Sequence, residues 1–180
     1  KHRLAEAIEV LTELQFAPKQ RNEIAAYALL ALLDLPAQKS WAEAESPLRG
    51  ITPIIEFIAE NYGIRYAPNT RETIRDEAVK YFVEAGLLLR NPDNPERPTN
   101  SGKTVYQIEP SALTLLRRVG SSNWAKELEK YLSQVEADLP RHDDQGIRAD
   151  AGAVLRCHDG PDQRRGPVVR HAGRRGSARE

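Results

Sequence analysis

Arg71 and Arg75 stand one helical turn apart in the stretch NTRETIR, Asn69 to Arg75. Side chains four residues apart share a helix face. A guanidinium on such a face can donate two parallel hydrogen bonds to the O6/N7 edge of guanine or to a phosphate. Solvated or ion-paired arginines are the plain alternative, since Asp76 is adjacent to Arg75. Thr70 and Thr73 carry hydroxyls suited to phosphates or base edges, although Thr70 serves equally well in capping. Asn69 reads as an N-cap first, and Glu72 sits where a capping-box partner belongs. Glu72 has a second reading, accepting from a cytosine amino group. Downstream, Arg97 and Lys103 suit phosphate contacts that orient a domain without reading sequence, or are ordinary exposed loop charges. Tyr66 can stack at a nucleic-acid edge or pack beside a turn.

Other chemistry is thinly represented. The chain has one cysteine, so no internal disulfide framework exists. Cys157 and His158, with His142 and His171, are the one group of soft ligands, and their spacing matches no zinc pattern. No glycine-rich phosphate loop and no Ser/His/Asp arrangement occurs. The sequence therefore calls for no catalytic residue, no metal and no cofactor of its own.

The elements around Arg71 and Arg75 follow from local rules. Pro68 biases Ala67 towards extended backbone, and Ile74, Ala78, Tyr81, Phe82 and Ala85 recur at helical spacing. This predicts a helix from about Thr70 to Ala85, closed by Gly86 in a left-handed conformation. Leu87 to Leu89 then form a short buried strand. Asn91 to Gly102, rich in proline and asparagine, is a loop, and Thr104 to Ile108 is the return strand. Upstream, Ile51 to Gly63 supplies a preceding helix, with Thr52 as N-cap, Pro53 in the first turn and Gly63 as the stop. Two closely spaced helices followed by a hairpin make a winged helix-turn-helix, a shape that places one helix in the DNA major groove. Arg3–Leu14 and Pro18–Leu33 are further helices, the second apolar on nearly all sides and so either deeply buried or part of a dimer seam. Pro110–Val119 and Asn123–Val135 are two more, with Trp41 and Trp124 as core anchors. The predicted fold class is mainly α: a winged helix-turn-helix with a small two-stranded β-wing and extra flanking helices.

Longer blocks carry a family resemblance. NTRETIR at Asn69 to Arg75, FVEAGLLLRNPDNPERPTNS at Phe82 to Ser101 and VYQIEP at Val105 to Pro110 are similar to the amino-terminal helix-turn-helix domain of the BsuBI/PstI family of type II restriction endonucleases. QRNE at Gln20, WAEA at Trp41 and GITPIIEFI at Gly50 support it. The likeness runs over roughly residues 1 to 137. It implies double-stranded DNA as partner, a palindromic target of the CTGCAG type and a homodimer in the full enzyme, while the lack of a long apolar run or secretory leader leaves a cytoplasmic protein as the expectation. It also implies a carboxyl-terminal nuclease using Mg2+, held by clustered carboxylates with an Asp/Glu-x-Lys element. No lysine in this chain has an acidic residue two positions before it. No catalytic residue carries over, and the expectation is a chain that binds DNA without cutting it.

Composition bounds the rest. The chain has 180 residues, 26 basic and 26 acidic, and no methionine. It reads as one domain over 1–137 with a tail over 138–180, a fragment without the nuclease domain. The tail is rich in Arg, Gly, Asp and His without a sustained apolar period, so disorder is expected, and a frame shift near Asp138 would account for it. No long apolar run suggests a membrane span. A formal net charge of zero gives no help to the DNA reading, because DNA binders usually rely on a basic face. Three classes remain: the DNA-binding part of a restriction endonuclease, a stand-alone winged-helix transcriptional regulator, or a winged helix that binds protein only. The resemblance favours the first, and charge favours the third over the second.

Overall fold

In the computed structural model, residues 2–67, 69–98 and 101–138 are described. Beyond Asp138, the predicted tail, with Cys157 and the three histidines at 142, 158 and 171, lies outside them.

Helix α1, His2–Glu13, turns Ala7, Val10 and Leu11 inward, a spacing that makes one apolar stripe. It closes at Gln15, which takes φ 63°, and the Phe16 N–H returns to the Leu11 carbonyl at 3.1 Å. The helix expected from Pro18 is divided in two. Pro18–Gln20 is a single 3-10 turn, and α2, Glu23–Leu32, begins afresh because the Asn22 side chain accepts from the Ala25 N–H at 2.9 Å. From Ala25 to Leu33 every residue is buried, Tyr27 alone retaining a trace of exposure. The apolar sides of α2 are therefore covered by this chain itself, by α1, α3 and the helix after them, and not by a second copy.

Helix α3, Ile51–Tyr62, starts from Gly50 as N-cap rather than from Thr52, which sits inside its first turn. A Cβ at Gly50 would stand 3.2 Å from the Thr104 carbonyl, so the close approach of the wing to α3 favours glycine there. Gly63 ends α3 with φ 71°, as the sequence suggests.

The next helix, α4, runs over residues 70–84 and is not uniform. Thr70–Ile74 and Lys80–Glu84 are α-helical, and Arg75–Val79 between them is a π turn in which the Lys80 N–H donates five residues back to the Arg75 carbonyl. Asn69 makes no side-chain cap, and Glu72 pairs with Arg75 instead of closing a capping box. Gly86, φ 71°, closes α4 as expected, with the Leu87 N–H bonded to the Phe82 carbonyl at 2.9 Å.

The wing is two short antiparallel strands, β1 Leu88–Arg90 and β2 Tyr106–Ile108, paired Leu88 to Ile108, Leu89 to Gln107 and Arg90 to Tyr106. Leu87 and Leu88 are buried, whereas Leu89 points outward. Arg49 adds a third edge, exchanging backbone hydrogen bonds of 2.8 and 2.9 Å with Tyr106. Its guanidinium lies 4.4 Å over the Phe57 ring on α3 and pairs with Asp34 just beyond α2. The wing is thus clasped to the helical core at its open edge.

Helices α5, Pro110–Leu116, and α6, Trp124–Asp138, complete the described chain. Both tryptophans anchor as expected. Trp41 and Trp124 are nearly buried, and their indole N–H groups donate to Glu6 and Glu13 at 3.2 and 2.7 Å. Phe16 meets Phe82 edge to face at 5.2 Å, joining the end of α1 to α4. The outcome is the mainly α winged helix-turn-helix with a small wing. No described helix is long and apolar enough to cross a membrane.

Candidate nucleic-acid interface

Helix α4, the amino-terminal turn of α3 and the wing enclose a groove of about 890 Å³. The core decides which face of α4 looks into it. Ile74, Ala78, Val79 and Phe82 are wholly buried, which leaves Arg71, Glu72, Arg75 and Asp76 on the groove side. An unbroken α-helix would continue the line from Arg71 through Arg75 to position 79. The extra residue of the π turn moves that line to Lys80 and Glu84 and hands Val79 to the core.

The wing supplies the opposite wall. Arg90 ends β1 opposite Tyr106, and both line the groove with Ser101, Gly102 and Thr104. Burial pushes the Tyr106 hydroxyl above its ordinary range, so it stays protonated and able to donate.

Of the residues singled out by sequence, Arg71 and Arg75 enter the groove together. Lys103 is exposed between the lining residues Gly102 and Thr104, its backbone N–H donating to the Ser101 hydroxyl at 3.2 Å. Asn69, Thr70 and Thr73 do not line it. Thr73 lies two residues from both arginines, and residues two apart on a helix face different ways. Arg97 is engaged within the wing loop. It donates to Asn91 Oδ1 at 3.0 Å and to the Asp93 carboxylate at 2.6 Å, and its side chain is largely covered. Asn91 organises this loop: buried at φ 48°, it also accepts from the Val105 N–H at 3.0 Å. The sequence reading missed Lys80, Arg90 and the hydroxyl wall of Ser101 and Thr104. For Arg90 a signal existed, since the last residue of a strand leading into a wing loop faces the same side as the residue two before it, here the inward Leu88.

Several charges of the groove are matched from within. Arg75 pairs with Glu72, one turn before it, and donates to Asp76 at 2.9 and 3.2 Å. That hydrogen bond from Arg75 is the main reason the Asp76 carboxyl lies below its ordinary range. Lys80 approaches Glu84 at 3.8 Å. Arg71 is exposed, with no ion-pair partner among the described residues. A long flexible cation with no partner among the described residues can meet an anion from outside. Among the described residues no group of three or more His, Cys, Asp or Glu side chains converges as metal ligands.

The chain is 47% identical over 137 residues to the type II restriction enzyme BsuBI of Bacillus subtilis, covering 76% of this chain and 43% of that protein. It is 38% identical over 133 residues to the type II restriction enzyme AplI of Arthrospira platensis, covering 74% of this chain and 41% of that one. The chain therefore spans less than half the length of these relatives. Among solved structures, SdaI restriction endonuclease superposes with a TM-score of 0.69 at 28% identity, over 73% of this chain and 42% of that one. Residues 1–139 match the BsuBI/PstI restriction endonuclease HTH domain, and the chain belongs to that family.

Proposed function

We propose that this chain is the DNA-binding part of a type II restriction endonuclease, with α4 in the major groove and the wing along the sugar-phosphate backbone. The observation that carries this reading is the joint placement of Arg71 and Arg75 on the groove face of α4, opposite Ser101 and Thr104 of the wing. A helix face with two guanidinium groups reads base edges, and a hydroxyl-lined wall suits phosphate oxygens. Cleavage, with its carboxylates and magnesium, is assigned to the part of the relatives that this chain does not match. A palindromic target of the CTGCAG type calls for two copies related by a two-fold axis, so the working unit is a homodimer of the full-length enzyme. Restriction of foreign DNA places it in the cytoplasm.

Fluorescence anisotropy with a CTGCAG duplex and a scrambled duplex, over a salt series and without magnesium, tests this. Preference for the CTGCAG duplex is expected. Arg71→Ala should weaken that binding by about 1–3 kcal/mol if the contact is to a base, or reduce the salt slope by about 1 if it is to a phosphate. Equal, salt-sensitive binding to both duplexes would make the domain a backbone clamp. A second reading, a winged helix that binds protein only, is favoured by the zero net charge and the internal pairing of Arg75. Absence of binding at every salt concentration would select it.

A further inference from the structure

Arg75 is already holding two acidic groups. Its Nη2 meets the Glu72 carboxylate, and its Nε and Nη2 reach the two Asp76 oxygens at 2.9 and 3.2 Å. The guanidinium fork that would engage a guanine edge or a phosphate is thus occupied by carboxylates, which offer the same pair of oxygens as a phosphate does. All three side chains line the groove and are about half exposed. Exposed pairs of this kind are weak and screened by salt. Arg75 can therefore exchange them for a better partner, and the two partners DNA offers are not equivalent. A guanine edge is neutral. It accepts both hydrogen bonds and leaves Glu72 and Asp76 free to take hydrogen bonds from water or from a cytosine amino group. A phosphate brings its own negative charge against two carboxylates released at the same place, and like charges at that distance repel.

Resting on the DNA-binding reading above, we propose that Glu72 and Asp76 are specificity-determining residues that hold Arg75 in reserve and penalise its use on the phosphate backbone. Arg71, without such partners, gives the attraction, and the Glu72–Arg75–Asp76 cluster withholds the remainder until a base edge releases it. The domain thereby binds its target without adhering strongly to the surplus of unrelated DNA. The isosteric double variant Glu72→Gln/Asp76→Asn removes the charge and keeps shape and helix propensity.

The variant and the parent chain are compared on the CTGCAG and scrambled duplexes across salt, with circular dichroism as a check on folding. The variant should bind the scrambled duplex about tenfold more tightly, with a salt slope steeper by about 1–2. The ratio of the two affinities should fall accordingly. Adding Arg75→Ala to the variant should cancel the gain. Glu77→Gln, which removes one negative charge where the double variant removes two, lies at an exposed position on α4 outside the groove and should produce little of it. An unchanged affinity ratio in a folded double variant overturns the inference and leaves the DNA-binding reading intact. Equal gains from Glu77→Gln overturn it too, by reducing the effect to net charge. A parent chain that binds neither duplex overturns both.

Discussion

Glu109 shows how much one side chain can carry. Its carboxylate accepts from the Ala112 N–H at 2.9 Å and so caps α5 directly after β2, at the hinge between wing and helices. Desolvation acts to raise its carboxyl, but hydrogen bonds from Ser111 and Ala112 outweigh it and leave the group below its ordinary range. A carboxyl lowered in the folded state contributes stability above its unfolded titration range and loses it as pH falls through the folded one. Glu109→Ala should therefore cost about 1 kcal/mol near pH 7, the usual value of a cap, and the gap from the parent should narrow towards about pH 3. Urea unfolding at the two pH values checks this, and a gap that stays constant would show that the carboxylate charge contributes nothing. Residue identity was legible at this scale, and partnership was not. Arg97 reads as a free loop cation until the left-handed Asn91 folds the loop and brings Asp93 beneath it. No periodicity announces such a loop conformation.

Helix α4 marks where pattern reading succeeds and where it stops. Its start, its glycine stop and the apolar positions Ile74, Ala78, Phe82 and Ala85 were all legible, because burial imposes spacing. Val79 was not, since a reading built on 3.6 residues per turn keeps it off the apolar face, and the π turn puts it in the core, fully buried. The same extra residue hid Lys80 and Glu84 from the predicted groove face. Val79→Ala should thus behave as a core truncation. It should lower unfolding free energy by about 2 kcal/mol, two buried methyl groups plus the space they leave. Chemical denaturation measures it, and a loss of a few tenths would mean that Val79 is exposed and the helix regular. The helix division at Asn22 has a similar origin, because a side chain that caps one helix is indistinguishable in sequence from one riding within a longer one.

At the scale of the whole molecule, the order of helices and strands followed from caps, glycine stops and apolar spacing, and the structure keeps that order. The groove did not follow from them, since it depends on how α3, α4 and the wing meet, which the Arg49 clasp to Asp34 and Phe57 settles across the chain. Net charge was a poor guide for a physical reason. A sum of zero says nothing about whether opposite charges lie on separate faces or cancel inside one, and here Glu72, Asp76 and Glu84 offset most of the positive charge of Arg71, Arg75, Lys80 and Arg90 in the groove.

The burial of α2 has a kinetic consequence. From Ala25 on its residues have no solvent side from which to open, and α1, α3 and α4 all rest on it. Hydrogen exchange at Leu29 to Leu33 then requires the entire domain to unfold, so those amides should be the slowest to exchange, with opening free energies equal to the global value. Native-state exchange in low denaturant measures this, and earlier exchange there than in α1 or α3 would contradict it. Helix α4 rests on a rod that does not loosen by itself, and the groove accordingly lasts as long as the folded molecule does.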